Sequence, residues 1–184
     1  SLEAAAKGFA KSAEIEKENP LVRFAYGGFL STMGEPDAGR EELLAARKLA
    51  PAVPRLTERL YELDVRCNRY GEALALADEV VRAVPEAPTG WILRGQARIA
   101  VGDFGGAVSD LEKADKMPID SQAAKYVESL LQTAKPLLAA WADEEKARKL
   151  DEAKGDLPRI EFVLEKGKVV VELFEDDAPN TVAN

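Results

Sequence analysis

This sequence has no histidine. Imidazole acid–base catalysis, His-ligated metal centres and Ser–His or Cys–His nucleophile pairs are therefore closed to it. Cysteine occurs once, as Cys67. One cysteine excludes an internal disulfide framework and any Cys-based zinc cluster, and its position late in an apolar helix reads as a packed structural thiol. No apolar run nears the roughly 20 residues of a membrane span. Positive charge is also in deficit, with 25 Lys and Arg against 33 Asp and Glu, a formal net charge of −8. That balance argues against nucleic acid or an anionic membrane as a partner. What the sequence does have is 46% hydrophobic and 32% charged residues over 184 positions, the profile of a folded chain. The chain starts at Ser1 without Met, so the native N-terminus and any targeting segment are expected to be missing, with the cytoplasm the default compartment.

The first two thirds of the sequence repeat. Pro20, Pro54 and Pro88 are spaced by 34 residues, as are Pro51 and Pro85. Gly39, Ala73 and Ala107 keep the same register, as do Leu43, Ala77 and Leu111, and Ala46, Val80 and Ala114. Tyr70 aligns with Phe104. A fixed period of this size signals stacked supersecondary units. In the third unit, Gly95 and Ala107 are small enough to let two helices approach closely. Trp91, Phe104 and Leu111 fill the space around them, and Gly102-Asp103 makes the turn between helices.

These residues and their spacing resemble the tetratricopeptide repeat (TPR) family, with departures. Pro36 and Gly39 replace an aromatic and an Ala in the first repeat, and Thr57 and Tyr61 replace a Trp and a Gly in the second. The third repeat is one residue short at its terminal proline, Pro118. The expected fold class is all-α, a right-handed solenoid of helix-turn-helix repeats followed by a short C-terminal β-hairpin. Its expected divisions are a second helix of an incomplete repeat at 1–19, with Ala5, Phe9 and Ser12 in register. Repeats are expected at 20–53, 54–87 and 88–119, and capping helices at 120–154. In that cap Ala124, Val127 and Leu131 form the apolar stripe of one helix. Pro136 is expected to break or kink the chain there, ahead of a charged helix running to Lys154.

Little here suggests chemistry. Gly102 to Gly106 is glycine-rich, but no strand precedes it and no Gly-Lys-Ser/Thr comes after it, so a helix–helix turn is the simpler reading. Gly27-Gly28 reads as a tight helix crossing. Asp176-Asp177 reads as a charged turn before a helix, since adjacent acids cannot supply calcium's ligand count. No catalytic residue, metal site or cofactor is expected. One constellation stands out, Arg55, Glu58, Arg59, Glu62 and Arg66, in which Arg55, Arg59 and Arg66 share a helix face. Glu62 precedes Arg66 by four residues, so an intrahelical ladder is the competing explanation. The TPR resemblance implies that this face points into a concave groove that takes extended peptides or partner helices, with Ile92, Gln96 and Ile99 lining the next helix. Some members of that family hold a chaperone's terminal carboxylate in a clamp of Lys and Asn. The corresponding positions here carry Phe24, Gly28, Arg59, Thr89 and Leu93, so that clamp is absent.

The C-terminal segment, 155–184, has a different pattern. Ile160, Phe162 and Leu164 alternate with Glu161 and Glu165. A Glu165-Lys166-Gly167-Lys168 turn comes next, and then Val169, Val171 and Leu173 alternate with Lys168, Val170 and Glu172. That is a β-hairpin signature with Gly where φ must be positive. Phe162, Gly167, Val169, Val171, Glu172, Leu173, Phe174, Ala178, Pro179, Thr181, Val182 and Asn184 resemble the N-terminal edge of a cyclophilin-type peptidyl-prolyl isomerase domain. The resemblance covers about 27 of the 184 residues. It implies a parent that eases rotation about X–Pro bonds, whose barrier is about 18–20 kcal/mol unassisted. That family's catalytic residues all lie downstream of the position matching Asn184, so this chain is expected to be inactive.

Two functions are therefore expected to compete. One is a TPR module that binds a protein or peptide segment in its groove beside an isomerase domain, and the other is a pure assembly scaffold. A lone hairpin is marginal in water, so it is expected to pack on the C-terminal helix or to pair its edge with a second copy of the chain.

Overall fold

The computed structural model of the chain describes residues 2–154 and 159–172. They fall into two compact units, Ser1–Lys135 and Pro136–Asn184. The first unit holds α1 (Leu2–Ile15), α2 (Pro20–Thr32), α3 (Pro36–Leu49), α4 (Pro54–Arg66), α5 (Tyr70–Ala83), α6 (Pro88–Ala100) and α7 (Phe104–Asp115). From α1 to α7, each helix packs on the next along the chain, the nearest-neighbour architecture of a solenoid. No helix among the described residues is long and apolar enough to cross a membrane.

Local chemistry explains where these helices begin and end. Pro20, Pro54 and Pro88 open α2, α4 and α6. A first-turn N–H has no intrahelical partner, so proline loses nothing there and its fixed φ suits the helix. The recurring prolines therefore act as starts for the next helix. Asn19 caps α2 by accepting from the Leu21 N–H at 3.0 Å, and Asp103 caps α7 by accepting from the Gly106 N–H at 2.9 Å.

The helix ends carry a further 34-residue series. Gly34, Asn68 and Gly102 all have positive φ, at 86°, 56° and 83°. Just beyond each, the N–H of Glu35, Arg69 or Asp103 returns to the carbonyl of Leu30, Asp64 or Arg98 at 3.0, 2.8 and 2.9 Å. This is the Schellman closure, which satisfies carbonyls that a helix end leaves open. Asn68 is the non-glycine member, and Asn tolerates the left-handed region better than most residues.

Two buried clusters form the core. One gathers Leu43, Leu60, Tyr61, Leu63, Leu76 and Ala97, with the half-buried Cys67 packed against it. The other gathers Val81, Trp91, Leu111, Ala114 and Val127. The small residues act as the sequence suggests. A Cβ on Gly95 would sit 2.7 Å from Leu111 Cγ. A Cβ on Gly27 would sit 2.7 Å from the Gly39 carbonyl, and one on Gly39 would sit 2.8 Å from the Gly27 carbonyl. The α2–α3 crossing is thus closed by glycine from both sides.

Residues 121–154 differ from expectation. A single helix, α8 (Ser121–Lys154), contains Pro136. Proline removes one i→i−4 bond, but the flanking residues are good helix formers and the helix runs through it.

In the second unit, β1 (Arg159–Leu164) and β2 (Gly167–Glu172) pair antiparallel. Ile160 faces Val171, Phe162 faces Val169, and Gly167 adopts φ 147° beside the turn. The register places Ile160, Phe162, Leu164, Val169 and Val171 on one face, the alternation read from the sequence. On the other face Lys168 Nζ reaches Glu161 Oε1 at 2.6 Å. Hairpin residues 159–171 are all exposed. The expected packing of the hairpin on the C-terminal helix is therefore not found among the described residues. Leu173 and the residues after it, with the helix start expected at Asp176-Asp177, lie outside the described residues.

Candidate functional site

Helices α2 and α4 enclose a cleft of about 570 Å³, lined by Phe24, Ala25 and Gly28 of α2 and by Arg55, Glu58, Arg59 and Glu62 of α4. Helical spacing explains the set. Residues 24 and 28, and 55, 58, 59 and 62, recur at three- and four-residue steps, so each group shares one face. Leu56, Leu60 and Leu63 are buried on the neighbouring face of α4 and anchor it. Gly27 and Gly28 divide the work on α2. Gly27 closes the crossing with α3, whereas a Cβ on Gly28 would meet nothing within 4 Å, so this position leaves the cleft open.

Three of the six sequence-derived groove candidates, Arg55, Arg59 and Glu62, meet in this cleft. Arg59 donates to Glu62 at 3.0 Å. The carboxylate that was expected to support a ladder to Arg66 points back along the helix instead. Arg55 lies with its guanidinium carbon 6.0 Å from the Phe24 ring centroid, at the outer range of cation–π attraction. Arg66 is exposed and does not line the cleft. Ile92 and Gln96 do not line it either. Ile92 packs on the second core cluster. Gln96 places Oε1 3.1 Å from the Tyr61 hydroxyl, which donates to the Leu93 carbonyl at 2.7 Å. Burial pushes the Tyr61 phenol well above its ordinary pKa of 10.0.

Sequence reasoning missed the ion pairs that brace this face. Asp64 is fully buried and accepts two bonds from Arg40, at 2.6 and 3.0 Å, with Arg69 3.6 Å away. Asp110 is buried and accepts two from Arg94, both at 2.7 Å, while Arg98 stands 2.9 Å off. Arg94 also reaches Asp78 at 3.0 Å. The bidentate geometry of both pairs fixes helix against helix. Trp91 donates its indole N–H to the Pro85 carbonyl at 2.8 Å. Two cations flank its ring: Arg94 at 4.7 Å and Lys113 at 3.7 Å. These groups are committed to one another.

No protein-family model matches the sequence, and no curated protein matches it. Solved structures do. MamA 41-end from Desulfovibrio magneticus RS-1 superposes with a TM-score of 0.56 at 19% identity, over 80% of this chain and 87% of that one. The first TPR domain of the human RPAP3 protein gives 0.57 at 18% identity, over 67% of this chain and 95% of that one. This chain has a TPR fold. PcrH from Pseudomonas aeruginosa gives 0.55 at 18% identity, over 63% and 91% of the two chains. At these identities the likeness is one of fold alone. The structure of the first TPR of Spaghetti (RPAP3) contains a bound HSP90 peptide; it matches at 19% identity with a TM-score of 0.55, over 66% of this TPR chain and 94% of its own.

Proposed function

We propose that this chain is a protein-binding module that takes an extended segment or a partner helix in the cleft between α2 and α4. The observation that carries the reading is the open face itself. A cleft of about 570 Å³ has two arginines and two glutamates on one wall and Phe24 and Gly28 on the other. Guanidinium groups in such a wall suit carboxylates and backbone carbonyls of a ligand. The bound HSP90 peptide in the RPAP3 relative of this fold supports the same use of the scaffold. The clamp residues of chaperone-tail binders are replaced here by Phe24, Gly28, Arg59, Thr89 and Leu93, so the ligand is a different segment.

Micromolar binding of a partner peptide tests this. Replacing Arg55 and Arg59 together by Ala is expected to weaken it about tenfold, as for loss of a charge-assisted contact. Unchanged affinity in the double variant would remove the cleft from consideration.

A second reading concerns the parent polypeptide. The hairpin's paired faces, Ile160 with Val171 and Phe162 with Val169, agree with the strand pattern that resembles a cyclophilin edge. On this reading the parent is a prolyl isomerase that the TPR module brings to its client, while the present chain is inactive. The alternative is a scaffold with no isomerase partner, its hairpin edge pairing with a second copy. A protease-coupled assay on an X–Pro peptide separates them when run on the longest natural polypeptide carrying this sequence: turnover favours the isomerase parent, and none favours the scaffold.

A further inference from the structure

A second pocket adjoins the cleft, of about 90 Å³, lined by Pro20, Leu21, Phe24, Ala50, Val53 and Leu56, with Arg55 its one charged wall residue. Its small size and apolar lining suit one aliphatic side chain. Its apolar walls are open to solvent: Leu21 is 75% exposed and Val53 43%. Phe24 and Arg55 line both this pocket and the larger cleft.

Arg55 is the residue that names an occupant. Arg23, Arg40, Arg47, Arg69, Arg94 and Arg98 each hold a carboxylate of this chain. Arg55 has no carboxylate partner among the described residues. It stands where the apolar pocket meets the cleft. Glu58 and Glu62 line the cleft but not the pocket. Beyond Arg55 the cleft offers Glu58, and an Arg59 already paired with Glu62, so it favours a carboxylate at Arg55 over one farther along.

From this geometry we infer that the module reads a short linear segment in which an aliphatic side chain fills the Leu21–Val53 pocket and a neighbouring carboxylate pairs with Arg55. Neutral or basic residues then lie over Glu58 and Glu62. This specificity rests on the cleft being the binding face and adds the ligand's chemistry to it. The apolar anchor supplies affinity, and the lone cation fixes which residue stands next to it.

Selection of a random displayed heptapeptide library against the chain tests the inference, with fluorescence anisotropy on labelled copies of the enriched peptides as the second step. Enriched peptides are expected to carry Leu, Ile, Val or Met within two residues of Asp or Glu. Leu21→Ser with Val53→Ser is expected to weaken them about tenfold or more, the loss of one buried aliphatic contact. Ser at position 53 is a good helix N-cap, so α4 is retained, and circular dichroism checks it. Arg55→Glu is expected to weaken the acidic peptides similarly and to switch a repeated selection to Lys or Arg at that position. If enriched peptides lose affinity in Arg59→Ala but are indifferent to changes at Leu21, Val53 and Arg55, the cleft binds and this specificity is wrong. If no peptide is enriched, or enriched peptides ignore all of these changes, both readings fail. A dimer in sedimentation that Val53→Ser dissociates would make a second copy the occupant and overturn the peptide assignment.

Discussion

Arg40 and Asp64 decide much of the stability at the residue scale, because a fully buried carboxylate depends on its guanidinium. Arg40→Ala leaves that charge with only Arg69, 3.6 Å away. Removing one partner of a buried pair costs about 3 kcal/mol, so chemical denaturation is expected to show a loss of that order. Exposed pairs such as Lys7–Glu3 are expected to give under about 0.5 kcal/mol in the same measurement. Tyr61 gives a pH test. Its phenol titrates above the ordinary 10.0 when folded, so the unfolded chain loses that proton first. The resulting stability is full below about pH 10 and falls as pH rises beyond it. Tyr61→Phe is expected to make that alkaline decline shallower, at the cost of the bond to Leu93. Unequal legibility at this scale has a physical cause. Arg55, Arg59 and Glu62 could be grouped from spacing because they share one helix turn pattern. The buried pairs could not, because Arg40 and Asp64 lie on different helices. Nor does charge keep the period: Asp64 and Arg98 are 34 residues apart and carry opposite signs.

Glycine placement separates packing from function at the element scale. Gly27→Ala drives a methyl to 2.7 Å from the Gly39 carbonyl and 2.9 Å from Leu43 Cγ. Overpacking of this kind costs about 2 kcal/mol, and thermal unfolding is expected to show it. Gly28→Ala meets no atom within 4 Å, and alanine is favoured over glycine inside a helix by about 0.8–1 kcal/mol. That variant is expected to unfold at a higher temperature while its methyl narrows the cleft. The periodic prolines and small residues make the helices legible in the sequence, since each has a steric reason to recur. Asn68 was less visible, because a residue with positive φ need not be glycine. Pro136 does not split the segment into two helices, because a helix of 34 residues has enough other hydrogen bonds to run through the one it loses.

At the scale of the whole molecule, the first unit is a stack of helices braced by internal ion pairs, with an open face between α2 and α4. The hairpin of the second unit keeps the predicted alternation and register. Its Ile160, Phe162 and Val171 form an exposed apolar surface. Hydrogen exchange is the most direct test of the central claim that α2 and α4 form the binding face. The full chain is compared with and without a peptide enriched from the displayed library. Added protection is expected to concentrate at residues 20–28 and 53–62. Protection confined instead to α3, α5 and α7, or to the hairpin, would contradict that claim.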